Sequence, residues 1–265
     1  MPEAHLSKPI ILLCNTRTGS TAFGSALEAS NGDIWFAGEV FHPDGLFVKW
    51  LEEHDVSALS FFLEKQRVLG EFLVDCSARY PNKALLIDVK YHDTLGLMPT
   101  PALYDFPPAL LSAVRDLEGR VLHLKRKSRF DSAISQVMAG ISKVHHVRVG
   151  ESLPDFAAQL GQVVIDPLAL ARQIRHRIYH ELIATRQLIN SGCKYIDVYY
   201  EDIFVENESN ALATLEAFLA FPVRLDKVVH RKIGAGYRDI IKDYESLRKD
   251  LRQLEEANWP ISLLV

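Results

Sequence analysis

The chain has 265 residues, of which 48% are hydrophobic and 24% are charged, and its formal net charge is −4. This composition supports a folded core, and the net negative charge argues against a broad nucleic-acid-binding surface. Three scattered cysteines show no C-x-x-C spacing, which indicates neither a zinc site nor a disulfide framework. No signal peptide and no run of about 18 apolar residues is found, so we expect one cytoplasmic domain over 1–265 without a membrane segment.

Short apolar segments predict buried parallel strands, and helical patterns lie between them. The predicted strands are Ile10–Cys14, Ala84–Tyr91, Arg120–Leu124 and Tyr195–Tyr200. The predicted helices are Thr21–Ala29, Val48–Gln66, Pro167–Ser191, Leu212–Leu219 and Asp239–Leu254. Strands that alternate with helices predict an α/β fold with a central parallel sheet flanked by helices.

The clearest of these helices is Pro167–Ser191. Asp166 suits its N-cap and Gly192 suits the left-handed position after its last turn. Its predicted buried stripe is Leu170, Ile174, Ile178 and Leu182. The preceding segment 142–165 lacks a clear period, and we interpret it as a long loop of the kind that often forms a lid.

The segment after the first strand is suited to an anion. The loop Asn15–Ser20 joins that strand to a helix, so backbone N–H groups and the helix dipole converge on one point. Gly19 permits close approach to the backbone, Ser20 and Thr21 add hydroxyl groups, and Arg17 adds a planar cation. A Walker A lysine is missing, which disfavours a kinase. The structural alternative is a polar turn in which a hydroxyl group caps the helix.

The residues NTRTGST resemble the loop that binds the 5′-phosphosulfate in sulfotransferases that use PAPS (3′-phosphoadenosine 5′-phosphosulfate). They are most similar to the bacterial and carbohydrate enzymes, in which arginine replaces a lysine. The resemblance implies a sheet like that of P-loop NTPases, with a helical or loop excursion that forms part of the acceptor cleft. It also implies that the donor contacts Arg17, Thr18, Gly19, Ser20 and Thr21.

A second segment, VLHLKRKSRFDSAISQVMAG, resembles the 3′-phosphate-binding element of the same family. The matching residues are Arg126 and Ser135, and Ser132 shares the helix face of Ser135 because it lies three residues before it. Ser128 and Asp131 form a start similar to a capping box, although many relatives carry an acid in place of Ser128. The structural alternative is a solvated basic cluster.

Two further matches extend the resemblance to about Tyr244. In VYYEDI, Tyr200 matches a residue that lies near the adenine. In RKIGAGY, Arg231 and Lys232 match a motif that closes over the 3′-phosphate, with Ile233 in the place of a glycine. The resemblance therefore implies PAPS as donor and PAP, its desulfated form, as product, without a metal ion.

The acceptor side is predicted from the segments WFAGEVFHPD and DVKYHD. Glu39 matches a glutamate that acts as general base in relatives, and its apolar neighbours predict partial burial. His42 is the rival base. Lys90 matches a lysine near the acceptor cleft, and Tyr91 is a candidate substrate contact.

Several functions fit these residues. The resemblance implies a carbohydrate or glycolipid acceptor, such as a bacterial capsule or lipopolysaccharide precursor, with a small-molecule metabolite as the alternative. A non-catalytic protein that binds PAP or another nucleotide, and a P-loop-like kinase, are the alternatives from other classes. The long helix Pro167–Ser191 offers a surface for a possible homodimer, and no nucleic-acid partner is expected.

Overall fold

The computed structural model describes residues 8–91, 106–142, 163–206, 209–223 and 237–256. Its strands are β1 Ile10–Cys14, β2 Ile34–Phe36, β3 Ala84–Lys90, β4 Arg120–Lys125 and β5 Lys194–Tyr199. Its helices are α1 Ser20–Ser30, α2 Leu46–Glu53, α3 Ala58–Leu63, α4 Lys65–Arg79, α5 Phe106–Asp116, α6 Arg129–Ser142, α7 Pro167–Ser191, α8 Tyr200–Phe204, α9 Ser209–Leu219, α10 Tyr237–Ile240 and α11 Tyr244–Glu256. The chain divides into a first unit, Met1–Lys127 with Glu181–Val228, and a second unit, Ser128–His180 with Val229–Val265.

The first unit contains a five-stranded sheet in the order β2-β3-β1-β4-β5, and every pair in it is parallel. The predicted α/β class and the four predicted strands are confirmed, except that Tyr200 begins α8 instead of ending β5. The sequence did not indicate β2, because three residues are too few to show a periodic pattern.

The strand order places β1 at the centre of the sheet. The chain first builds the side that holds β3 and β2, and then crosses to build the side that holds β4 and β5. Ligands of open parallel sheets bind beyond the carboxyl ends of the strands where the order reverses. In this sheet that point is the end of β1, where the predicted anion-binding loop begins.

Apolar side chains cover both faces of the sheet. On one face, a cluster of five aromatic side chains from α2, α3, α4 and the segment before α2 packs together. It consists of Phe41, Phe47, Trp50, Phe61 and Phe72. On the other face, the side chains of β1, β3 and β4 pack with α1, α8 and α9.

The prediction of one helix over Val48–Gln66 is wrong. Asp55 adopts a left-handed φ of 51° after α2, and the hydroxyl of Ser57 then caps α3 by accepting from the N–H of Ser60. The helical period therefore restarts twice, and the third helix continues to Arg79.

The second unit is helical. Side chains of α6, α7, α10 and α11 form its core, and Phe130 contacts Tyr244 with ring centroids 5.6 Å apart. The predicted helix Asp239–Leu254 is divided between α10 and α11, and Asp243 between them has a φ of 55°.

Helix α7 has the predicted bounds. A carboxylate oxygen of Asp166 accepts from the N–H of Leu168 at 3.0 Å, and Gly192 has a φ of 69°. Three members of the predicted stripe are buried, but Leu182 is 41% exposed, so the stripe ends before it. Among the described residues, no helix combines the length and the apolar character that spanning a membrane requires. Most of the predicted loop 142–165 lies outside the described residues.

Candidate functional site

The loop between β1 and α1 is a tight turn with two left-handed residues. Gly19 has a φ of 96° and Arg17 has a φ of 58°. The left-handed conformation costs a residue with a side chain on the order of 1 kcal/mol, so Arg17 holds local backbone strain. Thr18 is buried, and its hydroxyl donates to the carbonyl of Asn15 at 2.7 Å. The first helical hydrogen bond runs from Phe23 to the Gly19 carbonyl, which leaves earlier N–H groups of the turn outside the helical ladder.

Gly19 lies directly against the ring of Tyr200. A Cβ atom at Gly19 would lie 2.4 Å from the Cε2 atom of that ring, closer than atoms can approach. Tyr200 is buried, and the guanidinium carbon of Arg126 lies 4.1 Å from its ring centroid. A contact of this length is an ordinary cation–π interaction. One tyrosine therefore contacts both the predicted anion-binding loop and the arginine predicted to hold a second phosphate.

Arg126 is held by a carboxylate that the sequence analysis did not identify. The Arg126 side chain is 10% exposed, and its Nη1 lies 3.3 Å from an oxygen of Glu201. The other oxygen of Glu201 accepts from the N–H of Lys127 at 2.9 Å. The Nε of Arg126 is buried and has no hydrogen-bond partner among the described residues. An unpaired buried donor is destabilising, and an anionic group bound beside it would supply an acceptor.

Lys90 is a buried cation that contacts at least three acceptors among the described residues. Its side chain is 3% exposed, and its ammonium donates to the hydroxyl of Ser20 at 2.7 Å. It also forms ion pairs with Asp88 and, at 3.1 Å, with Glu39. Burial alone would lower the pKa of Lys90, but Cys14, Asp88 and Glu39 outweigh it and raise that pKa above its ordinary value. Lys90 therefore connects the start of α1 with the predicted base.

Asp88 is the second functional residue that the sequence analysis did not identify. It is fully buried, pairs with Lys90 and accepts from the thiol of Cys14 at 3.6 Å. A usable signal was present, because a carboxylate inside the apolar run LIDVK lies two residues before Lys90 and must point to the same face of the strand.

The two candidate bases lie in the segment after β2. The side chain of Glu39 is 37% exposed, in line with the predicted partial burial, and its carboxylate lies 3.1 Å from the ammonium of Lys90. The carbonyl of Gly38 accepts from the N–H of Asp88 at 2.9 Å, which anchors this segment to β3. His42 is 56% exposed, and its Nδ1 accepts from the N–H of Asp44. The side chain of His42 therefore closes a local turn, whereas that of Glu39 is oriented by a buried cation.

Tyr91, directly after β3, belongs to a chain of polar contacts that continues to side chains of β4 and β5. Its hydroxyl lies 2.6 Å from Nε2 of His123, and Nδ1 of His123 lies 2.8 Å from a carboxylate oxygen of Asp197. The other oxygen of Asp197 lies 3.0 Å from the ammonium of Lys125. Burial lowers the pKa of fully buried His123 more than the hydrogen bond to Asp197 raises it. Nδ1 therefore carries the proton of a neutral ring, and Nε2 accepts from Tyr91.

The remaining predicted residues lie in three places. Thr21 lies in the first turn of α1 and is half-buried. Ser132 and Ser135 lie on α6 in the second unit, where Ser132 is buried and Ser135 is half-buried. The predicted cap of α6 is confirmed, since the hydroxyl of Ser128 accepts from the N–H of Asp131 at 3.2 Å. Arg231 and Lys232 lie outside the described residues.

Comparison with known proteins gives one solved structure to report. No protein-family model matches the chain, and no curated protein matches it. The sulfotransferase domain from the Synechococcus PCC 7002 olefin synthase aligns with 95% of this chain and 95% of its own, at 17% sequence identity and a TM-score of 0.37. A TM-score this low does not establish a common fold.

The contact between Gly19 and Tyr200 predicts a large effect of one methyl group. Gly19→Ala should destabilise the protein by roughly 1–3 kcal/mol, because the new Cβ overlaps the ring and the left-handed φ is unfavourable. Gly70→Ala is the matched control, since nothing lies within 4 Å of its added Cβ and alanine favours a helix. Chemical denaturation should show a loss for the first and none for the second. Equal stability of the two variants would show that the ring does not constrain the loop.

The buried ion pair between Lys90 and Asp88 predicts a second effect on stability. Lys90→Met leaves the Asp88 carboxylate buried without its cation, which should cost about 3–5 kcal/mol in the free energy of unfolding. The double variant Asp88→Asn/Lys90→Met should recover part of that loss. Lys49→Met, at an exposed position on α2, should change stability by about 0.5 kcal/mol or less. If Lys90→Met behaved like Lys49→Met in urea titrations, the buried ion pair would be ruled out.

His123 predicts a dependence of stability on pH. Burial lowers the pKa of His123 in the folded protein, so the unfolded chain binds more protons at this residue than the folded chain does. Stability should therefore fall as pH drops below about 6.5, the ordinary pKa of histidine. His123→Gln should flatten the slope of unfolding free energy between about pH 7 and pH 5. His176→Gln, at an exposed site, should retain the slope, and an unchanged slope in His123→Gln would contradict the assignment.

Proposed function

We propose that this protein is a sulfotransferase that uses PAPS to sulfate a hydroxyl group. The observation that carries the proposal is the contact of one buried aromatic ring, Tyr200, with both Gly19 of the β1–α1 loop and the guanidinium of Arg126. Two groups suited to phosphate are thereby gathered around one ring in the first unit. A nucleotide with phosphates at its 5′ and 3′ positions accounts for both groups, whereas a nucleoside diphosphate accounts for only one.

The β1–α1 loop would hold the 5′ end of the donor. Its N–H groups and those of the first turn of α1 would bind it beyond the end of β1, where the strand order reverses. Arg17, Thr18, Ser20 and Thr21 would add side-chain donors. The left-handed strain at Arg17 fits a residue that the fold fixes in place for binding.

Arg126 would hold the 3′-phosphate, and Tyr200 would lie near the adenine. Glu201 orients Arg126 in the free protein, and its carboxylate would have to share the guanidinium with the incoming phosphate. The sequence resemblance also assigns Ser132, Ser135 and Arg231 to this end of the donor.

Transfer needs an acceptor oxygen in line with the sulfur and a base for its proton. We assign the base to Glu39, since its carboxylate is partly exposed and is oriented by the ammonium of Lys90. The acceptor hydroxyl loses its proton to Glu39 as its oxygen bonds to sulfur. The bond between sulfur and the 5′-phosphate oxygen breaks, and PAP leaves with the additional negative charge. Arg17 and the loop N–H groups would stabilise that charge.

Lys90 has a double role in this proposal. It orients Glu39 on the acceptor side, and through the hydroxyl of Ser20 it contributes positive charge at the start of α1. Tyr91, held by His123, is assigned to the acceptor side with it. His42 is the weaker candidate base, because its Nδ1 is used within its own turn.

For the acceptor, we propose a carbohydrate or glycolipid of the kind found in bacterial capsules and lipopolysaccharides, with a small-molecule metabolite as the alternative. We further propose that residues 1–265 form a single cytoplasmic sulfotransferase domain that can form a homodimer. A protein that binds PAP without catalysis is the alternative function, and a P-loop-like kinase is a third.

The donor assignment predicts selective stabilisation by PAP. A ligand at about one hundred times its dissociation constant adds roughly 2.7 kcal/mol to stability, which a thermal-shift assay resolves. PAP should raise the melting temperature strongly, while ADP, and ATP with magnesium, should raise it little. Arg126→Ala should remove the difference between PAP and ADP, and Arg79→Ala, at an exposed site on α4, should retain it.

Two results would decide against the donor. If ADP or ATP stabilised the protein as well as PAP does, the second phosphate site would be absent and a kinase or nucleotide sensor would be favoured. If no nucleotide stabilised it at millimolar concentration, the β1–α1 loop would be only a structural turn. Selective binding of PAP combined with inactivity toward every hydroxyl acceptor tested would favour the non-catalytic alternative.

A further inference from the structure

Helix α7 carries two histidines whose imidazoles meet. His176 and His180 are four residues apart, so they project from the same side of the helix. Their Nε2 atoms are hydrogen-bonded to each other at 2.9 Å, and their ring centroids lie 4.1 Å apart, so a metal ion would take the place of the shared proton. His176 is exposed and His180 is half-buried, so solvent reaches the pair from one side. Neither residue belongs to the site described above.

The distance between the two Nε2 atoms matches the distance between two nitrogens that bind the same metal ion. Imidazole nitrogens bind transition ions at about 2.0–2.1 Å. Two such nitrogens at a right angle around one ion lie roughly 2.9 Å apart, whereas a tetrahedral pair lies roughly 3.3 Å apart. The pair therefore has the spacing of adjacent positions in a square-planar or tetragonal ion, and is short for tetrahedral zinc.

We propose that His176 and His180 form a site for a divalent transition-metal ion of square-planar or tetragonal preference, of which Cu²⁺ is the strongest binder. Among the described residues, no cluster of three or more histidine, cysteine, aspartate or glutamate side chains is placed to hold a metal. The described part of the chain supplies two protein ligands to this site, and water would complete the coordination. This proposal does not depend on the sulfotransferase assignment.

Neighbouring charge limits the affinity. Arg172 lies four residues before His176, on the same side of α7 and exposed. A guanidinium one turn away repels a divalent cation, so Arg172→Ala should tighten binding.

Chelation by residues four apart also requires the helix. In an unfolded chain the two imidazoles are not held at this spacing, so a bound ion stabilises the folded state. A metal that binds this pair should raise the melting temperature, and the rise should vanish when either histidine is removed.

The test uses the full chain without a histidine tag, treated with chelator and then titrated calorimetrically with Cu²⁺, Ni²⁺ and Zn²⁺. The chain has ten histidines, so the decisive quantity is the difference between the protein and its variants. His176→Ala and His180→Ala should each lose one Cu²⁺ equivalent, or weaken that site by about tenfold or more. Gln173→Ala, also exposed on α7, is the matched control and should retain the site.

Electron paramagnetic resonance of the protein with one Cu²⁺ should show two coordinated imidazole nitrogens, and His176→Ala should lose one. Arg172→Ala should bind more tightly than the parent protein. The proposal is overturned if both histidine variants retain the stoichiometry and affinity of the parent. It is also overturned if Zn²⁺ binds more tightly than Cu²⁺ at the site that the variants remove.

Discussion

The buried ammonium of Lys90 is the interaction on which the arrangement of the site depends. A charge taken out of water is strongly destabilising unless it is paired and hydrogen-bonded, and Lys90 meets that condition through Asp88, Ser20 and Glu39. These three partners lie on β3, at the start of α1 and in the segment after β2. One cation therefore fixes the β1–α1 turn and the candidate base relative to the same strand.

A second constraint fixes the other end of the site. Tyr200 fills the space beside Gly19, and Arg126 packs on the same ring. Only glycine leaves room for the ring at that position and also accepts the left-handed φ without strain. The carboxylate of Glu201, one residue after Tyr200, then holds Arg126 and the N–H of Lys127. The contacts of Tyr200 and Glu201 thus connect the β1–α1 loop with Arg126, although these segments are far apart in the sequence.

Much of this architecture could be predicted from the sequence, because buried parallel strands are continuous apolar runs and α7 carries its own start and stop signals. Strand β2 escaped prediction because it has three residues, and the helices after it were merged because the break at Asp55 depends on a backbone angle. The partner of Glu39 could not be predicted, because local composition does not show that a cation from β3 lies beside its carboxylate.

The candidate site could be predicted from the sequence only in part. Motifs placed the β1–α1 loop and Arg126 at strand ends, but the partners of these residues come from the sheet register. His123 lies opposite Asp197 in the pairing of β4 with β5, a relation that neither segment reveals alone. Asp88 was within reach of prediction, because an acid on the same strand face as Lys90 implies a pair.

The measurement that tests this account most directly is a double-mutant cycle on PAP affinity, with Ser20→Ala, Glu39→Gln and the double variant, by isothermal titration calorimetry. Glu39→Gln should tighten binding because it frees Lys90 from a competing carboxylate, and Ser20→Ala should weaken it. If Lys90 connects the two residues, the effect of Glu39→Gln should shrink when Ser20 is absent, with a coupling energy above about 0.5 kcal/mol. Effects that add within that margin would contradict the claim that one buried lysine joins the donor loop to the base.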